Sequence, residues 1–123
     1  MQIQALKQNL RLNTPFNKLT IANTRGIRFI ELTDIIALES DGNYTTAHLL
    51  TGEMVVASKT LGYFEDLLAD HALFFRTHKQ FMVNLSHIKE YLGGDFNTLV
   101  MRNNLHVKLA RTRRDAFMEL FKL

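Results

Sequence analysis

The stretch FFRTHKQFMVN, residues 74–84, decides how the chain is read. Two runs of β-forming residues, 74–78 and 81–84, flank Lys79-Gln80, so the pattern predicts two short strands with a tip between them. The same segment carries Arg76, His78, Lys79 and Gln80, all with long or planar donors, between apolar residues that pin it by packing. Donors held in this way suit a surface made of acceptors, and the edges and phosphates of nucleic acid are such a surface.

Short strands continue on both sides. Upstream, Leu19 and Ile21, then Ile27 and Phe29, alternate with polar residues across an Asn23-Thr24-Arg25-Gly26 turn, as in a hairpin. The apolar run Ile35-Ile36-Ala37-Leu38 suits a strand buried on both faces. Ser40-Asp41-Gly42-Asn43 is a turn cluster, residues 44–50 are rich in β-formers, Thr51-Gly52 turns again, and 54–57 returns as a partner strand. Downstream, 88–92 and 97–101 read as strands, with turn signals at Gly93-Gly94-Asp95 and Asn103-Asn104.

Two helices interrupt. Leu61, Phe64, Leu67 and Leu68 recur at helical spacing with Ser58 available as a cap. A last helix opens near Arg111, with Ala116, Phe117, Leu120 and Phe121 as its apolar stripe. The expectation is a mostly β domain of several small antiparallel sheets with two short helices, not a parallel α/β sheet. Residues 1–14 read as a linker or helical tail from a preceding region, with Ile3, Leu6 and Leu10 at near-helical spacing, and 15–123 as the domain.

The composition narrows the function. The chain of 123 residues contains no cysteine, which excludes disulfides, thiolate metal sites and cysteine nucleophiles. No apolar run approaches the ~18 residues of a membrane span and no signal-peptide pattern opens the chain, so a cytoplasmic location is expected. The five histidines, His48, His71, His78, His87 and His106, never stand two or four residues apart, and no HExxH helix exists. A histidine- or metal-dependent enzyme is therefore disfavoured, and no cofactor or metal is expected. Charge is uneven: the net +3 comes from residues 101–123, where six Lys/Arg face Asp115 and Glu119. A basic end points to a polyanion or to a solvated helix face.

Several separated motifs then agree. Asp34-Ile-Ile-x-Leu-Glu39, Asn43-Tyr44-Thr45, Lys59-Thr60-Leu61 before a short helix, Phe75-Arg76-x-His78-Lys79, Val83-Asn84-x-x-x-Ile88 and a helix opening at Arg111 stand in the order found in LytTR-type DNA-binding domains. The chain resembles this family over residues 18–121. The resemblance implies an elongated all-β core that inserts loops and the start of the last helix into successive major grooves. It further implies the effector role in a bacterial two-component response regulator, direct-repeat sites bound as a homodimer, and a receiver domain on the N-terminal side in a longer protein. Carried onto matching positions, base contacts fall to Asn43, Tyr44, Lys79, Gln80 and Arg111. By their charge or hydrogen-bonding capacity, Arg76, His78, Lys108, Arg113 and Arg114 are expected as phosphate contacts.

Each residue also has a plainer reading. Arg111 could pair with Asp115, Arg76 could be a structural ion-pair partner, Asn43 is a common turn residue, and Tyr44 could be a half-buried strand aromatic. Asn84 is expected to satisfy backbone groups where its strand ends. Gln80 and Ala110 depart from the family, many members having a small hydroxyl residue and a serine there. The alternative function is a protein-interaction module that binds a partner chain through exposed strand edges or the basic last helix.

Overall fold

The computed structural model describes residues 17–123, so the tail assigned to 1–14 lies outside the described residues. The described residues form ten strands and two α-helices: β1 (Lys18–Asn23), β2 (Gly26–Glu31), β3 (Ile35–Asp41), β4 (Tyr44–Leu49), β5 (Met54–Ala57), α1 (Leu61–Leu67), β6 (Phe74–His78), β7 (Phe81–Asn84), β8 (Ile88–Leu92), β9 (Thr98–Met101), β10 (His106–Lys108) and α2 (Arg111–Leu120). They build a β1-β2 hairpin, a five-stranded sheet in the order β5-β4-β3-β7-β6 and a three-stranded sheet in the order β10-β9-β8. All pairings are antiparallel. The expected fold class is the one observed.

The five-stranded sheet separates two cores, and β3 explains why. Ile35 and Leu38 join Leu19, Ile21, Ile30, Leu61 and Phe64 beneath the hairpin and α1. Ile36 and Ala37 join Val83, Leu99, Met101, Val107 and Phe117 beneath the small sheet and α2. The register slips between Ile35 and Ala37, so consecutive Ile36 and Ala37 face one core while Ile35 and Leu38 face the other. Each buried Ile or Leu side chain contributes about 1.5–3 kcal/mol relative to exposure, so this strand ties the two halves together.

Asn84 closes the central sheet as its sequence position suggested. Fully buried, it donates through Nδ2 to the carbonyls of Leu32 and Ile35, at 3.3 and 3.0 Å. Its Oδ1 accepts from the backbone and hydroxyl of Ser86. Every polar group of a buried amide is thereby used, which avoids a desolvation penalty of about 1–3 kcal/mol.

Three details differ from the sequence reading. The cap of α1 is Thr60, whose hydroxyl accepts from Tyr63 N at 3.2 Å, and not Ser58. In the hairpin, Leu19 faces Ile30 and Ile21 faces Arg28, so the inward face takes those residues. Ile27 and Phe29 consequently point outward, 63% and 64% exposed. In α2 only Phe117 of the expected stripe is buried, packed 5.9 Å from the Phe75 ring and 6.4 Å from Tyr91, while Leu120 and Phe121 remain about half exposed.

Candidate nucleic-acid interface

The end of the five-stranded sheet that carries the β3–β4 and β6–β7 turns also receives the start of α2. Two backbone hydrogen bonds make this so. Ser40 N donates to Gln80 O at 2.8 Å, fastening the two turns side by side. Ala110 N donates to Thr77 O at 2.7 Å, fastening the residue before α2 to β6. Asn43, Tyr44, Lys79, Gln80 and Arg111, distant in sequence, are thus brought to one end, and all are exposed.

The two turns are shaped differently. Gly42 takes φ 63°, a left-handed conformation that glycine adopts without a Cβ clash, and turns β3 into β4 directly at Asn43. The β6–β7 turn is built by a side chain. Arg76 donates from Nε to His78 O at 2.9 Å, from one terminal nitrogen to Lys79 O at 2.5 Å, and from the other to the Glu65 carboxylate at 2.6 Å. One guanidinium therefore satisfies two turn carbonyls and reaches α1. Gln80 N also donates to His78 Nδ1 at 3.1 Å, so a neutral His78 carries its proton on Nε2. Lys79 and Gln80 have no side-chain partner among the described residues, which leaves their donors free.

The start of α2 is held as firmly. Arg113 donates from Nε to Arg76 O at 2.9 Å, and its guanidinium lies 4.5 Å from the centre of the Phe75 ring. Arg114 donates from Nε to the Tyr91 hydroxyl at 3.2 Å and lies 3.9 Å from Asp115. The Asp115 carboxylate is therefore beside Arg114, not Arg111. Arg111 has no ion pair among the described residues. Ala110 offers no side-chain cap, so the first N–H groups of the helix are left open.

A cleft of about 400 Å³ collects these parts: His78 on one side, Ala110, Arg111 and Thr112 on another, and Lys108 with Asp95 and Phe96 on the third. A smaller cleft continues past His78 to Lys79, Arg76 and Arg113. His78 and Thr112 line both, so Lys79 and Arg111 share one surface. Of the ten residues singled out in the sequence, Arg76 and Arg113 stand apart, because Arg76 gives Nε and both terminal nitrogens to the protein and Arg113 gives its Nε and lies over the Phe75 ring. Tyr44 is exposed, not half-buried.

Two residues at this end escaped the sequence reading as contacts. Lys59 follows β5 at the same end of the sheet, its carbonyl accepting from Thr45 Oγ1 at 2.8 Å and its ammonium lying 5.0 Å from the Tyr63 ring centre. Phe96 lies in the cleft, 72% exposed. An aromatic within a Gly-rich turn gave the only signal for it. Among the described residues no group of His, Asp and Glu could hold a metal ion, and no helix is long and apolar enough to cross a membrane.

Comparison with known proteins agrees with this geometry. No curated protein matches the sequence. Among solved structures, the LytTr DNA-binding domain of a response regulator from Bacillus cereus superposes with a TM-score of 0.73 at 25% identity, covering 87% of this chain and 98% of that one. The sequence profile of the LytTr DNA-binding domain matches residues 25–122. Sheet order, the converging turns and this match across most of the chain lead to one conclusion: the protein belongs to the LytTr family of DNA-binding domains.

Proposed function

We propose that this domain binds duplex DNA sequence-specifically as the effector part of a response regulator, through the turn end of the five-stranded sheet. The observation that carries the reading is the pairing of Lys79 and Arg111 on one surface, both exposed and neither matched by a carboxylate among the described residues. Free cations at a shared edge attract a polyanion and cost nothing in broken ion pairs.

The roles divide by chemistry. Arg111 can give two parallel hydrogen bonds to guanine O6 and N7, and Gln80 can pair with adenine N6 and N7. Asn43, Tyr44 and Lys79 present further donors to base edges. His78 through Nε2, Lys108, Arg114 and the uncapped N–H groups of α2 suit phosphate oxygens, which fix orientation and not sequence. Arg76 and Arg113 enter chiefly as the clamps that shape the turn and seat the helix.

The β3–β4 and β6–β7 turns are two strand spacings apart, about 10 Å, and the bond from Ala110 N to Thr77 O sets the start of α2 directly against β6. The three parts form a row along the sheet end, and by family resemblance such a row meets successive major grooves. By family resemblance, two copies on direct repeats and a receiver domain upstream complete the regulator.

The test is selection from a pool of random duplexes. An enriched motif, repeated at about one helical turn of ~34 Å, is the expected outcome. A pool that shows no enrichment after repeated rounds overturns the reading and favours a protein-interaction module, for which the outward Ile27 and Phe29 would be the surface.

A further inference from the structure

The loop 93–97 between β8 and β9 is built to hold an apolar ring in water. Asn97 takes a left-handed φ of 41° and Gly94 a φ of 64°, both sparsely populated by ordinary side chains. Buried Asn97 is locked by its side chain, Oδ1 accepting from the Tyr91 hydroxyl at 2.7 Å and Nδ2 donating to Leu109 O at 2.5 Å. Leu109 N returns a bond to Asn97 O at 3.1 Å, and Thr98 Oγ1 donates to Phe96 O at 2.6 Å. The backbone on either side of Phe96 is thereby fixed, while the ring itself is 72% exposed. A large apolar side chain held out on a fixed backbone is the form expected of a contact residue, not of a loosely placed loop residue.

Its neighbours say what it contacts. Phe96 lines the cleft with His78, Lys108 and Arg111, the residues assigned above to DNA. Asp95 stands next to it in the same cleft. A carboxylate repels a phosphate but accepts from an exocyclic amine, so this corner of the cleft suits a base edge better than the backbone. The apolar feature that a base edge offers in the major groove is the thymine C5-methyl group.

We infer that loop 93–97 is a further base-reading element, with the Phe96 ring seated against a thymine methyl. This rests on DNA binding through the same cleft. Phe96 adds no charge, so it contributes to sequence preference and not to the electrostatic attraction that all duplexes share.

The experiment uses the duplex recovered by selection, a random duplex as control, and copies of the selected duplex in which single thymines are replaced by deoxyuridine. Phe96→Ala is expected to lower affinity for the selected duplex about five- to tenfold and to leave random-duplex binding and the salt slope unchanged. One thymine-to-deoxyuridine replacement is expected to weaken the wild type about fivefold and to leave Phe96→Ala indifferent, because the methyl has lost its partner. Phe96→Leu, which keeps an apolar contact, should retain most of the affinity. Wild-type affinity in Phe96→Ala, equal loss on both duplexes, or full sensitivity of Phe96→Ala to every replacement each overturns the inference. These outcomes leave DNA binding itself intact, whereas a wild type that selects no duplex removes the reading beneath it.

Discussion

The two ends of the central sheet treat charge in opposite ways. At the far end, Arg28 of the hairpin reaches the Glu53 carboxylate in the β4–β5 turn, and Lys18 pairs with Glu31 across the base of the hairpin. At the turn end, Lys79, Lys108 and Arg111 have no carboxylate partner among the described residues, although Asp95 shares their cleft. Both ends carry cations, yet Arg28 and Lys18 are spent on carboxylates, whereas Lys79, Lys108 and Arg111 are not. Net charge of the chain cannot distinguish these cases, because a paired arginine and a free one count alike. The useful quantity is the set of donors left over after the fold has satisfied itself.

That view separates two arginines only one sheet edge apart. Replacing Arg76 by Met removes the bonds to His78 O, Lys79 O and Glu65 together. A loss of about 2 kcal/mol in urea unfolding is expected, since the turn carbonyls lose a charged donor. DNA affinity should fall with it because the turn that carries Lys79 loses its shape. Unchanged stability would mean that water replaces the guanidinium at no cost, and the contrast between structural and free cations would fail. Replacing Arg111 by Ala should do the reverse. Stability should hold, while binding to the selected duplex weakens by about 1–3 kcal/mol and random duplex is little affected. Equal loss on both duplexes in fluorescence anisotropy would show that Arg111 meets phosphate only.

The sequence disclosed the strands well because each is bounded by turn residues and several alternate cleanly. Ile35-Ile36-Ala37-Leu38 was legible as a strand buried on both faces because no polar residue interrupts it. Asn84 was legible because a polar amide at the end of an apolar strand must find partners. What could not be read was which side of the hairpin faces inward. Leu19, Ile21, Ile27, Phe29 and Ile30 offer two apolar faces, and only contact with the sheet beneath decides between them. The cap at Thr60 was missed for a similar reason: Ser58 and Thr60 both qualify locally, and the bond of Thr45 to Lys59 O sets where the helix begins. For the interface, the family pattern supplied the residue types, but the division between clamp and free donor needed coordinates. In sequence, Arg76 reads equally as an ion-pair partner or a phosphate ligand, and only its bonds to Glu65 and the turn carbonyls decide between them, while Phe96 looks like an ordinary turn residue.

Lys108 gives a milder test of the turn end. It lines the cleft with Arg111 and has no ion-pair partner among the described residues. Lys108→Ala should weaken selected and random duplexes by the same factor and lower the slope of log affinity against log salt by about 0.9, the value for one phosphate. A larger loss on the selected duplex would move Lys108 from the phosphate set to the base-reading set and enlarge the part of the surface that carries sequence information.

The far end should give the smallest effect, visible in pH and not in binding. The hydrogen bond from Arg28 holds the Glu53 carboxyl below the usual glutamate range, and the same bond raises the Arg28 guanidinium further. A carboxyl whose folded pKa is lowered binds its proton more readily in the unfolded chain. Its contribution is therefore complete above the ordinary glutamate range and is lost as pH falls through the lowered folded value. Both groups are open to solvent, so screening keeps the effect small. Comparison of urea midpoints for wild type and Arg28→Ala from about pH 7 down to about pH 3 should show a slight gap at neutral pH that closes on acidification. Affinity for the selected duplex should be the same in both proteins. A variant that binds DNA more weakly would connect the hairpin to the interface, and the two ends could no longer be treated as separate in function.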